Sequence, residues 1–209
     1  MRIGGLLLAA IFTACAGRPA PVAAAVPDLQ TRLLAGEVVA LEVDEPPAGG
    51  KHGGAARMQV LVQAPARDVW AVIVSCELAY RFIDGLRSCE VLEQSAGRAL
   101  VHQVVDQGWL MPRFDFVFES RRRPYEWIGV SLVKGNLDSM EGSWRFEETA
   151  AGTLVEHQLR LRPAAPVPRF LVRRNLRRSM PDLLACVRAL ANGSATDAQR
   201  HSDLARCQH

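Results

Sequence analysis

Few residues in this sequence have the type and spacing to do chemistry, and those that do suit holding a molecule better than transforming one. His157 lies in the run TLVEHQLRLR and, if that run is extended, shares a face with Val155, Leu159 and Leu161. It is then a lone polar group in an apolar setting, able to orient a ligand or to sit as a satisfied core histidine. Its neighbour Glu156 projects from the opposite face, so the two do not form an acid/base couple. The other histidines are His102 on a strand, His52 in a glycine loop, and His201 and His209 near the end of the chain. There is no Gly-x-Ser-x-Gly, His-Glu-x-x-His, phosphate-binding Gly-x-x-x-x-Gly-Lys or dinucleotide fingerprint. The cysteines include no Cys-x-x-Cys and no Cys/His spacing suited to zinc. No cofactor and no metal is expected, and no residue is assigned a catalytic role.

A second kind of chemistry is carried by aromatic and sulfur-containing side chains that recur at regular intervals. Arg113–Arg123 alternates strictly, with Phe114, Phe116 and Phe118 on one face and Asp115 and Glu119 on the other. In Met140–Glu148, Gly142, Trp144 and Phe146 share a face. Such surfaces are soft, polarisable and suited to an apolar ligand. They need a sheet to hold them and a helix to face them. Strands are predicted over 33–43, 57–63, 89–93, 99–109, 113–123, 127–134, 140–148 and 153–162, with the second read as a new strand or a continuation of the first. Helices are predicted over 67–75 and 77–84. A long helix over 169–191 carries the stripe Val172, Leu176, Met180, Leu184 and Val187, with Pro181 expected to kink or restart it. One amphipathic helix cannot cover both faces of so large a sheet. The expected fold is therefore α+β: a curved, seven-stranded antiparallel sheet wrapped around the C-terminal helix, with space between them. Candidate cavity residues are Phe114, Phe116, Trp144, Phe146, His157, Leu159, Leu176, Met180 and Leu184.

Charge sharpens this reading. The chain has 209 residues and a net charge of +3, with 49% hydrophobic and 22% charged residues, as expected of one folded domain. Residues 163–191 hold six arginines against Asp182, a local +5 that leaves −2 for the rest. Arg169, Arg173, Arg174, Arg177 and Arg178 follow helical spacing beside the apolar stripe. They read either as a solvated face or as a surface for anionic lipid headgroups. Nucleic acid is not an expected partner, because aromatic residues are not interleaved with these arginines.

The amino terminus reads as a targeting signal. Arg2 precedes an apolar run from Ile3 to Phe12, about 15 Å as a helix and too short to span a bilayer. Phe12-Thr13-Ala14-Cys15 resembles a bacterial lipobox. That resemblance implies cleavage after residue 14, acylation of Cys15 and a place in the cell envelope on the periplasmic side, with Ala16 favouring the outer membrane. Ordinary secretion is the alternative. Residues 15–28 are the lipidated cysteine and an Ala/Pro tether, 29–191 the domain, and 192–209 a polar tail expected to be disordered. In an oxidising compartment Cys76 and Cys89 are either one disulfide or two buried thiols. Cys207 is expected to be solvated in the tail.

The element order and the segment ARMQVLVQAPARDVWAVIVSCELAYRFIDGLRSCEVLE resemble the START-like, helix-grip superfamily of polyketide cyclases, coenzyme Q-binding proteins and lipid transporters. The marks are the strand followed by Ala-Pro, the Asp68-Val69-Trp70 entry to the first helix, the stretch from Tyr80 to Gly85, and the late GSWRF strand. The resemblance covers about residues 57–191. It implies a cavity between the long helix and the concave sheet for a lipid, quinone, sterol or aromatic polyketide. The expected function is binding or transfer of a small hydrophobic ligand at the membrane, through a lipid anchor and the Arg-rich face. A cyclase or aromatase is the alternative.

Overall fold

In the computed structural model, residues 28–43, 53–191, 193 and 196–207 are described. Cys15, the expected signal peptide (residues 1–14), His52 and His209 lie outside them. The chain runs α1 (Leu29–Leu34), β1 (Val39–Val43), β2 (Gly54–Val62), α2 (Ala66–Val74), α3 (Cys76–Phe82), β3 (Leu86–Ser95), β4 (Arg98–Val105), β5 (Phe114–Arg123), β6 (Trp127–Gly135), β7 (Leu137–Thr149), β8 (Gly152–Pro163), α4 (Arg169–Leu190) and α5 (Asp197–Leu204). One antiparallel sheet has the order β1-β2-β8-β7-β6-β5-β4-β3. The expected α+β helix-grip architecture is present, with eight strands rather than seven. The predicted strand over 33–43 divides: Asp28 caps a helical turn by accepting from the Thr31 N–H at 2.9 Å, and Gly36 turns the chain at φ 82° before β1 begins.

Strand alternation decides which side chains face α4. Ala56, Met58, Val60 and Val62 of β2 enter the main core, whereas Leu61 packs outside with Leu33 and Val39. Irregular register in β1/β2, β3/β4, β5/β6 and β7/β8 bends the sheet around the helix. Close approach of α4 to the sheet depends on Gly54: a Cβ there would lie 2.9 Å from Leu176 Cδ1 and 3.1 Å from Val172 Cγ1. α3 begins where Ser75 Oγ accepts from the Leu78 N–H at 3.1 Å. It ends before Gly85, whose φ of 74° and close contact with the Asp106 carbonyl admit no side chain.

α4 is a single helix of 22 residues that runs through Pro181 without restarting. Its carboxy-terminal half is solid core, with Leu184, Ala185, Cys186, Val187, Arg188 and Ala189 all buried. The tail beyond it is not the disordered segment expected. Thr196 Oγ1 accepts from the Gln199 N–H at 3.0 Å to start α5, and a disulfide joins Cys186 to Cys207. Cys207 is buried instead of solvated. Arg188 Nε and Nη2 donate to the two carboxylate oxygens of Asp203 at 2.7 and 2.9 Å, and Nη1 donates to the Gly36 carbonyl at 2.9 Å. α4 and α5 are thereby tied to each other and to the turn that follows α1. Among the described residues no helix is long and apolar enough to cross a membrane.

Candidate functional site

Between the amino-terminal half of α4 and the inner face of the sheet lies a cavity of about 240 Å³. Its wall is mainly apolar. Phe114, Phe116, Trp144, His157, Leu159, Leu176 and Met180 line it. Phe146 and Leu184 do not. Both have the inward parity that the sequence pattern indicates, but Phe146 meets the Trp70 ring of α2, with centroids 5.6 Å apart, and Leu184 is fully buried in the solid half of α4. Inward direction makes a residue core; what stands opposite decides whether any space is left. Cys76 and Cys89 also line the cavity, joined by a disulfide that ties the start of α3 to β3.

His157 is held tightly within this wall. Its ring stacks on Trp144 with centroids 3.7 Å apart, and Nδ1 lies 3.1 Å from the Ser143 carbonyl. A carbonyl can only accept, so Nδ1 carries the proton and Nε2 is an acceptor. Burial lowers the pKa of His157 to about 4, while the Ser143 bond pulls weakly upward; at pH 7 the ring is neutral. Glu156 is on the other face, as alternation requires. It accepts from Arg57 Nη2 at 2.8 Å and Gln59 Nε2 at 2.9 Å. Burial pushes its carboxyl upward, but these bonds outweigh that and hold it below the ordinary glutamate value. His102 is likewise outside the cavity, 2.8 Å from Asp115. No cluster able to hold a metal ion occurs among the described residues.

Among the cavity residues that the sequence pattern did not single out are two polar ones at the end of β5. The inward face of β5 continues past Phe118 to Ser120 and Arg122, both of which line the cavity. The period of two that identifies the phenylalanines places Arg122 inward as well, but the run Arg121-Arg122-Arg123 reads as a solvated strand end. Arg122 Nε donates to Ser120 Oγ at 3.1 Å. Burial lowers its pKa below the usual guanidinium value, and no carboxylate pairs with it among the described residues.

The rim is aromatic and cationic. Gln107 and Met111 line the cavity, and Gln107 Oε1 accepts from Asn175 Nδ2 of α4 at 2.8 Å, so their loop meets the helix. Trp109, predicted at the end of a strand, is in this loop and 92% exposed; Phe170, five residues before Asn175, is 66% exposed. Trp127 is not part of this rim: Ile128 faces the cavity, so Trp127 lies half-buried on the outer face of β6, with Arg123 over its ring at 5.4 Å. On α4, Arg169, Arg174, Arg177 and Arg178 are exposed and Arg173 is half-buried.

A curved antiparallel sheet closed over an apolar space by one long helix defines a helix-grip protein, a class whose interior is a container. The chain belongs to the polyketide cyclase/dehydrase and lipid transport family, whose model matches residues 62–188. Its fold is similar to that of a Thermus thermophilus protein (18% identity, TM-score 0.56, covering 68% of this chain and 99% of that one). It is also similar to the Zhui aromatase/cyclase from a Streptomyces species (22% identity, TM-score 0.55, 70% and 98%). A START superfamily protein from Mycobacterium smegmatis is a third (20% identity, TM-score 0.53, 64% and 92%). At these identities the likeness is one of fold. No curated protein matches the sequence.

Proposed function

We propose that the protein binds or transfers a small hydrophobic ligand, a lipid, quinone or polyketide-like molecule, without transforming it, at the periplasmic face of a bacterial membrane. The observation that carries this reading is the cavity itself: an apolar, aromatic space kept open between α4 and the sheet, beside a well-packed core. Binding is favoured over cyclase chemistry because burial holds the His157 pKa at about 4, which makes it a weak base far from the neutral pH at which proton transfer is efficient. The exposed Trp109 and Phe170 beside the arginines of α4 suit the boundary between headgroups and acyl chains of an anionic bilayer. The lipobox-like Cys15 supports an anchor there.

Native mass spectrometry of the intact protein tests the reading. The expected result is a released apolar mass in the wild type and its loss in Leu159→Trp, which fills the cavity. A folded wild type with no bound mass after incubation with lipid extract would contradict it. Incorporation of a fatty-acid analogue, abolished by Cys15→Ser, tests the anchor.

A further inference from the structure

Among the described residues that line the cavity, Arg122 is the one arginine or lysine and Asp84 the one acid. They stand at opposite ends. The Arg122 N–H bonds to the Gly97 carbonyl, at the start of β4, whereas Asp84 adjoins Gly85, whose carbonyl accepts from Asp106 at the finish of β4. The eight residues of β4 separate these points by about 26 Å. Partial burial of a guanidinium without a counter-charge is unfavourable, and among the described residues no carboxylate pairs with Arg122.

The inner face of β5 reads Arg122, Ser120, Phe118, Phe116, Phe114: a cation, a hydroxyl, then three aromatic rings. That is the mirror of an amphiphile with an acidic head. The register places Ile128, Trp144 and His157 in a row across the sheet from Arg122, three strand spacings or about 14 Å in all. His157 offers an unprotonated Nε2, which accepts from a hydroxyl and repels an anion. An anionic head is thus attracted at one side of the row and rejected at the other.

Resting on the cavity-binding reading, we propose that the ligand carries an anionic oxygen group, a carboxylate or an ionised phenol, held by the Arg122 guanidinium and the Ser120 hydroxyl, with its apolar body along the three phenylalanines. Charge-assisted bonds of this kind are about twice as strong as neutral ones and favour planar, two-oxygen groups.

Calorimetric titration with two matched pairs tests this on the full chain: decanoate against decanol, and 2-naphthoate against 2-naphthalenemethanol. The acid of at least one pair is expected to bind tenfold or more tighter than its alcohol. Arg122→Gln should reduce that preference to under threefold by weakening the acid more than the alcohol, with Arg122→Lys retaining part of the preference. Equal binding of acid and alcohol to the wild type, or a preference that survives in Arg122→Gln with unchanged melting temperature, overturns the proposal and leaves cavity binding intact. Failure of all four compounds to bind overturns both.

Discussion

Arg188 is buried in the core and Arg122 half-buried at the cavity wall, and the chain treats them in opposite ways. Arg188 is enclosed, with its side chain 3% exposed, and all of its charge is answered locally by Asp203 and the Gly36 carbonyl. Arg122 faces an open cavity with a single serine hydroxyl for company. A buried charge that serves the fold is completed by the fold; one left incomplete at the wall of a cavity is available to a ligand. His157 shows a third solution, losing its charge altogether on burial.

The comparison breaks first at the paired arginine. Asp203→Ala strands Arg188 and should cost about 3–5 kcal/mol in denaturant unfolding, whereas the double replacement Arg188→Met with Asp203→Leu should cost clearly less. If the single and double changes are equally harmful, pairing is not what Asp203 contributes. Replacing both Cys186 and Cys207 by serine opens a loop of 21 residues and should cost roughly 3 kcal/mol. Melting should show it, with no change in affinity for decanoate, because neither sulfur lines the cavity.

His157 gives a smaller and pH-dependent effect. Its folded pKa of about 4 lies below the unfolded value near 6.5, so the unfolded chain binds more protons between them. Stability is full above pH 6.5 and declines as pH falls toward 4, by about 2 kcal/mol between pH 7 and pH 5. His157→Leu should flatten that part of the stability profile; an unchanged slope would show that the histidine is not discharged. The smallest change belongs to Arg122→Met. With no counter-charge to strand and only the Ser120 hydroxyl to lose, it should alter the stability of the ligand-free protein by less than about 1 kcal/mol, or raise it.

Much of this was legible in the sequence because strand alternation and helical spacing are local. The inward faces of β5, β7 and β8 and the stripe on α4 follow from side-chain period alone. What escaped was set by contacts between distant residues. Phe146 has the same parity as Trp144, but Trp70, brought over by α2, fills the space before it. α5 is polar along its length and is held by a salt bridge and a disulfide reaching back 15 and 21 residues. A local signal was present there in Thr196-Asp197-Ala198-Gln199, the spacing of a helix-capping pair. Arg122 was hidden by its neighbours Arg121 and Arg123, although the parity of three phenylalanines already pointed it inward.

The most direct test of the account is the ionisation and orientation of a bound acid. Decanoate labelled with carbon-13 at its carboxyl, bound to the protein and titrated by NMR, should stay ionised to a lower pH than the free acid. Its methyl end should show proximity to the ring protons of Phe116 or Phe118. Arg122→Gln should bring the bound carboxyl back to or above the free value. A carboxyl that titrates like the free acid in the wild type, or a methyl end that never approaches those rings, would contradict the assignment of one polar and one apolar end to this cavity.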